Sequence, residues 1–144
     1  MGPAGSSRPE AIRSNDQAIT VNLILIFLGG GLGAMARWSI STGVQALAER
    51  TVLHRFPVGI FACNIAGCFL IGCVFGFLAQ KHPAWAFPLL VTGFLGGFTT
   101  FSAFGRDTLE AFQEGFPAVA VANALLSVVV GVLAVWAGMK LCAS

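Results

Sequence analysis

Charge is what this sequence has least of. Of its 144 residues only 10% are Asp, Glu, Lys or Arg, against about 25% in a soluble domain. Hydrophobic residues make up 56%, and the mean hydropathy is +0.84. That balance excludes a soluble globular domain and makes the chain an integral membrane protein. Its length fits one domain. A net charge of +2 with no basic run gives no ground for a nucleic-acid partner. Cysteine is sparse too: Cys63, Cys68, Cys73 and Cys142. Three of them recur every five residues inside one apolar segment, which suits neither a zinc site nor a disulfide framework. They read as inert buried thiols. Tyrosine is absent while phenylalanine appears 13 times, so most of the large rings carry no hydroxyl.

The scarce acids are also badly placed for some functions. All six (Glu10, Asp16, Glu49, Asp107, Glu110 and Glu114) fall outside the apolar spans. Proton-coupled pumps and cation carriers need an intramembrane carboxylate, so such coupling is not expected. No Ser/His/Asp or metal-ligand constellation occurs, and no enzyme is expected.

What is there is four apolar spans, at about 19–42, 57–79, 84–105 and 117–139. A span of 23 residues reaches about 35 Å, enough to cross a bilayer. Residues 1–18 are polar with Pro, Gly and Ser, and read as a disordered tail ahead of a membrane domain at 19–144. Residues 43–56 form the first real loop, where the lone His54 reads as solvated. Gln80–Pro83 is a very short turn, and residues 106–115 form an amphipathic link.

The third span contains the stretch on which the chain is organised, Gly93-Phe94-Leu95-Gly96-Gly97-Phe98-Thr99-Thr100-Phe101-Ser102-Ala103-Phe104-Gly105. It is apolar enough for lipid yet a poor helix, because adjacent glycines each cost roughly 1 kcal/mol against Ala. A helix broken in lipid must re-satisfy the freed N–H and C=O groups with protein, water or an ion. Two readings follow: an ion-holding break, or a close helix crossing through small residues.

Neutral groups make up most of the intramembrane polar inventory. Asn64 lies in the second span, and Asn123, Ser127 and Gly131 recur every four residues on one face of the fourth. Thr99, Thr100 and Ser102 add hydroxyls at the break. Neutral donors suit a dehydrated anion, since they stabilise it without trapping it. A phenyl ring has a positive edge, and Phe101 and Phe104 would share one face of a helix. Arg37, near the end of the first span, either snorkels to the headgroups or faces a water-filled vestibule as an anion lure.

Orientation is nearly unbiased. One side holds Arg8, Arg13, Lys81 and Lys140; the other holds Arg50, Arg55 and Arg106, with Arg37 if the first span ends there. The positive-inside rule then has little to act on. Such a chain either inserts both ways and pairs about a two-fold axis in the membrane, or follows a small residual bias.

Three motifs, GGGLGAMARW (29–38), FACNIAG (61–67) and GGFTTFSAF (96–104), taken in this order and spacing, resemble the CrcB/Fluc fluoride ion channel family. The likeness runs from about Leu25 to Trp136. It implies an all-α membrane fold of four helices with a break in the third, assembling as an antiparallel dual-topology homodimer in the bacterial cell (inner) membrane. It implies a passive channel exporting toxic fluoride. Phe101 and Phe104 match the rings whose edges face fluoride, Asn64 the pore asparagine, and Asn123 and Ser127 the polar track. Thr100 and Ser102 fall in the same pore motif, and Arg37 matches the vestibule arginine. The carbonyls of Gly96 and Thr99 match those that hold a structural sodium ion (Na+) at the dimer centre. Gly131 stands where a further hydroxyl can occur, and Ala103 where the family usually has Thr. Two other readings of the chain are a small dual-topology drug transporter, which needs an acid that the first span lacks, and an assembly subunit of a larger membrane complex.

Overall fold

The computed structural model describes residues 7–77 and 83–143, with side chains from Ser14 onward. Every regular element among the described residues is a helix. α1 is Ser7–Ala48 and α2 is Val58–Phe77. α3 is the π-helical stretch Phe87–Leu95 continued by the α-helical turn Gly96–Phe98. α4 is Phe101–Gln113 and α5 is Pro117–Cys142. Four segments, 14–48, 58–77, 87–113 and 117–142, are long and apolar enough to cross a membrane. The chain is a multi-pass membrane protein with its third span broken between α3 and α4.

The first span is longer than the sequence suggests. α1 takes in residues 7–18, set apart above as tail, and runs on to Ala48. Residues 1–6 of that tail and residues 80–82 of the expected turn lie outside the described residues. The link expected at 106–115 is helical to Gln113, so α4 belongs to the third span. Local chemistry sets several of these ends. Gln45 Oε1 accepts from the Gly59 N–H at 3.2 Å, satisfying one of the donors at the start of α2. Gly115, at φ 87°, turns the chain sharply after α4. Pro117 then opens α5, where a missing N–H costs nothing.

Packing follows the small residues. α1 lies along α3, and α2 lies along α5. A Cβ on Gly33 would collide with the Phe94 carbonyl of α3, and one on Gly97 with the Gly30 carbonyl of α1. Gly72 and Gly138 meet the α5 and α2 backbones in the same way. Such close approach gives two helices van der Waals contact where lipid offers no hydrophobic drive between them. At the break the third span changes partner: α3 packs on α1, whereas α4 packs on α5. Among the described residues the backbones of α1 and α5 do not come close to each other, so the bundle stays open on one side.

Candidate anion pathway

The break falls on two threonines rather than on the paired glycines. Gly96–Phe98 remains helical, while Thr99 (φ −92°, ψ 153°) and Thr100 (φ −151°, ψ 118°) are extended. β-Branched residues with a hydroxyl suit this geometry, because the hydroxyl offers the backbone a local alternative to the helix ladder. Thr99 sends both its N–H and its Oγ1 hydroxyl to the Leu95 carbonyl, at 3.0 and 2.9 Å. Thr100 Oγ1 accepts from the Ala103 N–H at 3.2 Å, capping α4, and lies 3.1 Å from Ser102 Oγ.

Two other spans complete the repair. From α2, Asn64 Oδ1 accepts from the Thr100 N–H at 2.8 Å, and Asn64 Nδ2 donates to the Thr100 carbonyl at 3.2 Å. From α1, Arg37 Nε donates to the Gly97 carbonyl at 3.0 Å. A cation at the C-terminal end of α3 is also favoured by the helix dipole. Arg37 stands eleven residues before the last residue of α1, about 16 Å along the axis. It is therefore well inside the helix and not at its end. In an unbroken helix the Gly96 carbonyl would accept from Thr100 N–H, and the Thr99 carbonyl from Ala103 N–H. Both donors have gone elsewhere. The two carbonyls are thus released from the ladder.

Beside the break lies an open groove of about 410 Å³. α2 supplies Asn64, the break supplies Thr99 and Thr100, α4 supplies Phe101 and Phe104, and α5 supplies Ser127. The rest of the wall is mostly aliphatic, with Ile71, Val91, Leu95 and Val128 beside Cys68 and two glycines. The two rings sit with centroids 5.4 Å apart and planes tilted by 39°. Phe101 is 83% exposed and projects from the chain. No acid lines the groove, and no cluster of three His, Cys, Asp or Glu occurs among the described residues.

The polar stripe of α5 divides. Ser127 faces the groove, but Asn123 is buried, at 2% exposure, behind it. Asn123 Nδ2 donates to Thr108 Oγ1 at 2.8 Å, and that hydroxyl donates to the Phe104 carbonyl at 2.7 Å. Ser127 Oγ donates to Asn123 Oδ1 at 3.5 Å. Gly131 is buried against Cys68 Sγ and Ile65, with a Cβ's room to spare. Ser102 is exposed and meets the groove only through Thr100. Thr108 is the residue that sequence reading missed. It sits one turn after Phe104 on the same helix face, and that spacing was the available signal.

At one end of the bundle a larger polar basin, about 740 Å³, lies between the end of α1 and the α4–α5 turn. Its wall includes Glu49, Glu110 and the ion pair of Arg106 with Asp107 at 2.6 Å. Arg55 stacks there over the Phe116 ring at 4.0 Å. His54 is exposed and accepts at Nε2 from Arg55 Nε at 3.1 Å.

The family described as CrcB-like protein, Camphor Resistance (CrcB), matches residues 24–139. The chain belongs to the CrcB family. That match takes in the broken third span and nearly all of α5. Among curated relatives, the fluoride-specific ion channel FluC of Solibacter usitatus is 43% identical over 121 residues, covering 82% of this chain and 95% of that protein. FluC of Francisella philomiragia is 40% identical over 122 residues, covering 81% and 90%. FluC of Acidobacterium capsulatum is 44% identical over 117 residues, covering 79% and 90%.

Proposed function

We propose that this CrcB-family chain is a passive fluoride-selective channel of the bacterial cell membrane, exporting toxic fluoride, and not an enzyme. The observation that carries the reading is the groove. One amide, several hydroxyls and two phenyl rings converge at a helix break, in an aliphatic wall without a carboxylate. A small anion leaving water needs donors that lower its energy without holding it as a buried cation would. Asn64 has two N–H groups, and one is spent on the Thr100 carbonyl, leaving the other for the pathway. Thr100 and Ser127 add hydroxyls, with Ser102 behind Thr100, and Phe101 and Phe104 offer ring edges. The start of α4 at Phe101 adds the positive end of a helix dipole. The names of the FluC relatives point to the same ion.

The pathway is completed by a second copy in antiparallel orientation. The groove is open along one side, Phe101 stands out of its own chain, and the balance of basic residues between the two ends is compatible with dual topology. Sodium fits at the break. The carbonyls of Gly96 and Thr99 are hard oxygens released from the helix ladder, and Gly96 is exposed on the chain's surface. A sodium ion shared there by two copies would offset the carbonyl dipoles that the break leaves unpaired. The role of Arg37 is an anion-attracting charge near the pathway that also tethers the end of α3.

The deciding experiment is fluoride efflux from liposomes holding the purified protein, with chloride as control anion and a potassium ionophore clamping the voltage. Fast electrogenic fluoride release with negligible chloride loss is expected. A verified dimer that releases no fluoride would overturn the reading and favour an assembly subunit.

A further inference from the structure

We propose that Thr108 is a positioning residue of the anion pathway, fixing the orientation of the Asn123 amide and, through it, the direction of the Ser127 hydroxyl proton. This rests on the fluoride-channel reading above. A threonine hydroxyl has one proton to give and lone pairs to receive. Thr108 Oγ1 lies 2.7 Å from the Phe104 carbonyl, which can only accept, and 2.8 Å from the Asn123 amide. Its proton therefore goes to Phe104, and Asn123 must present its NH2 to Thr108.

The far end of the amide is then fixed as well. Asn123 Oδ1 points at Ser127, so Ser127 donates to it, across a long 3.5 Å contact. Asn123 is buried, and no solvent competes for its orientation. At rest the Ser127 proton is thus held away from the groove, with lone pairs towards it. A bond this long is weak, so an arriving anion turns the proton towards itself, and the proton swings back as the anion leaves. Ser127 becomes a donor only while an anion is beside it, which is what transit requires.

Without the Thr108 hydroxyl the amide is free to reverse. Its NH2 then donates to Ser127 Oγ, and the Ser127 proton faces the groove permanently. Anion affinity rises and release slows. Thr108→Val keeps the shape and removes the hydroxyl; Thr108→Ser keeps the hydroxyl. Flux is read in liposomes as a function of fluoride concentration, with dimer content checked by size-exclusion chromatography. Thr108→Val is expected to lower the half-saturating fluoride concentration several-fold together with the maximal flux. Thr108→Ser is expected to match the parent, and Ser127→Ala to remove the shift caused by Thr108→Val. Thr108→Ala serves in place of Thr108→Val if the latter does not assemble. Unchanged half-saturation in the hydroxyl-free variants, or a Thr108→Ser variant that behaves like Thr108→Val, overturns the inference while leaving the channel intact. A parent protein that conducts no fluoride overturns both.

Discussion

Asn64 holds both backbone groups of Thr100, accepting from its N–H at 2.8 Å and donating to its carbonyl at 3.2 Å. The side-chain amide does for Thr100 what a neighbouring strand would do in a sheet. It gives the Thr100 N–H, which the break takes from the Gly96 carbonyl, a neutral partner in lipid, while the charged Arg37 holds the neighbouring Gly97 carbonyl.

Asn64→Asp retains the acceptor for Thr100 N–H but faces the Thr100 carbonyl with a second oxygen and places a negative charge on the groove. Fluoride efflux is expected to vanish. Loss of the amide's bond to the Thr100 carbonyl adds about 0.5–1.5 kcal/mol of destabilisation. Flux in liposomes and thermal unfolding in detergent check the two effects separately; normal conduction would remove Asn64 from the pathway.

Phe101→Ile and Phe104→Ile keep apolar bulk while removing the ring edge. An edge contact is worth on the order of 1 kcal/mol, so each variant should lower fluoride flux several-fold with dimer assembly unchanged. Full flux in both variants would leave the rings as packing alone.

Gly67 and Gly131 offer a steric contrast on neighbouring spans. A Cβ at Gly67 would overlap Thr99 Cγ2 at the break, whereas one at Gly131 comes no closer than 3.4 Å to Cys68 Sγ. Gly67→Ala is expected to cost about 1–3 kcal/mol by overpacking. Gly131→Ala is expected to be neutral or to stabilise by up to about 1 kcal/mol, through reduced chain entropy. Melting temperatures of the two purified variants decide the comparison.

Exhaustive replacement of sodium by a bulky organic cation such as N-methylglucamine should lower the melting temperature of the dimer. Adding sodium back should restore it along a saturable curve. Ligand linkage gives about 2.7 kcal/mol at a hundredfold excess over Kd. A flat response to sodium would assign the Gly96 and Thr99 carbonyls to direct contacts between copies.

The four spans and the interrupted third helix were legible because hydropathy over some 20 residues is a strong signal. Asn64 stood out for the same reason, as a primary amide in an apolar run. The location of the break within its stretch was less visible. Glycine propensity drew attention to Gly96 and Gly97, yet packing overrides it there: Gly97 remains helical because α1 passes too close for any side chain. The threonines that carry the break do so through hydroxyl bonds to Leu95 and Ala103, and propensity scales do not price those. Asn123 and Ser127 share a face by spacing, but burial separates them, and Thr108 became visible only once α4 was known to continue past Gly105. The π-helical course of Phe87–Leu95 has no counterpart in periodicity, because a run whose one polar side chain is Thr92 looks much alike at any helical pitch.

The pairing of α2 with α5 and of α1 with α3 sets the order in which the protein can be built. Chains emerge from the ribosome N-terminus first, so α2 enters the bilayer well before its main partner exists. Its glycine face, with Gly72 awaiting Val135 and Met139, stays against lipid until α5 arrives. Asn64 likewise waits for Thr100. Closure of this seam therefore waits for α5, and a chain stalled before it leaves a half-closed intermediate whose small-residue seam is open to quality-control proteases and to the wrong helix.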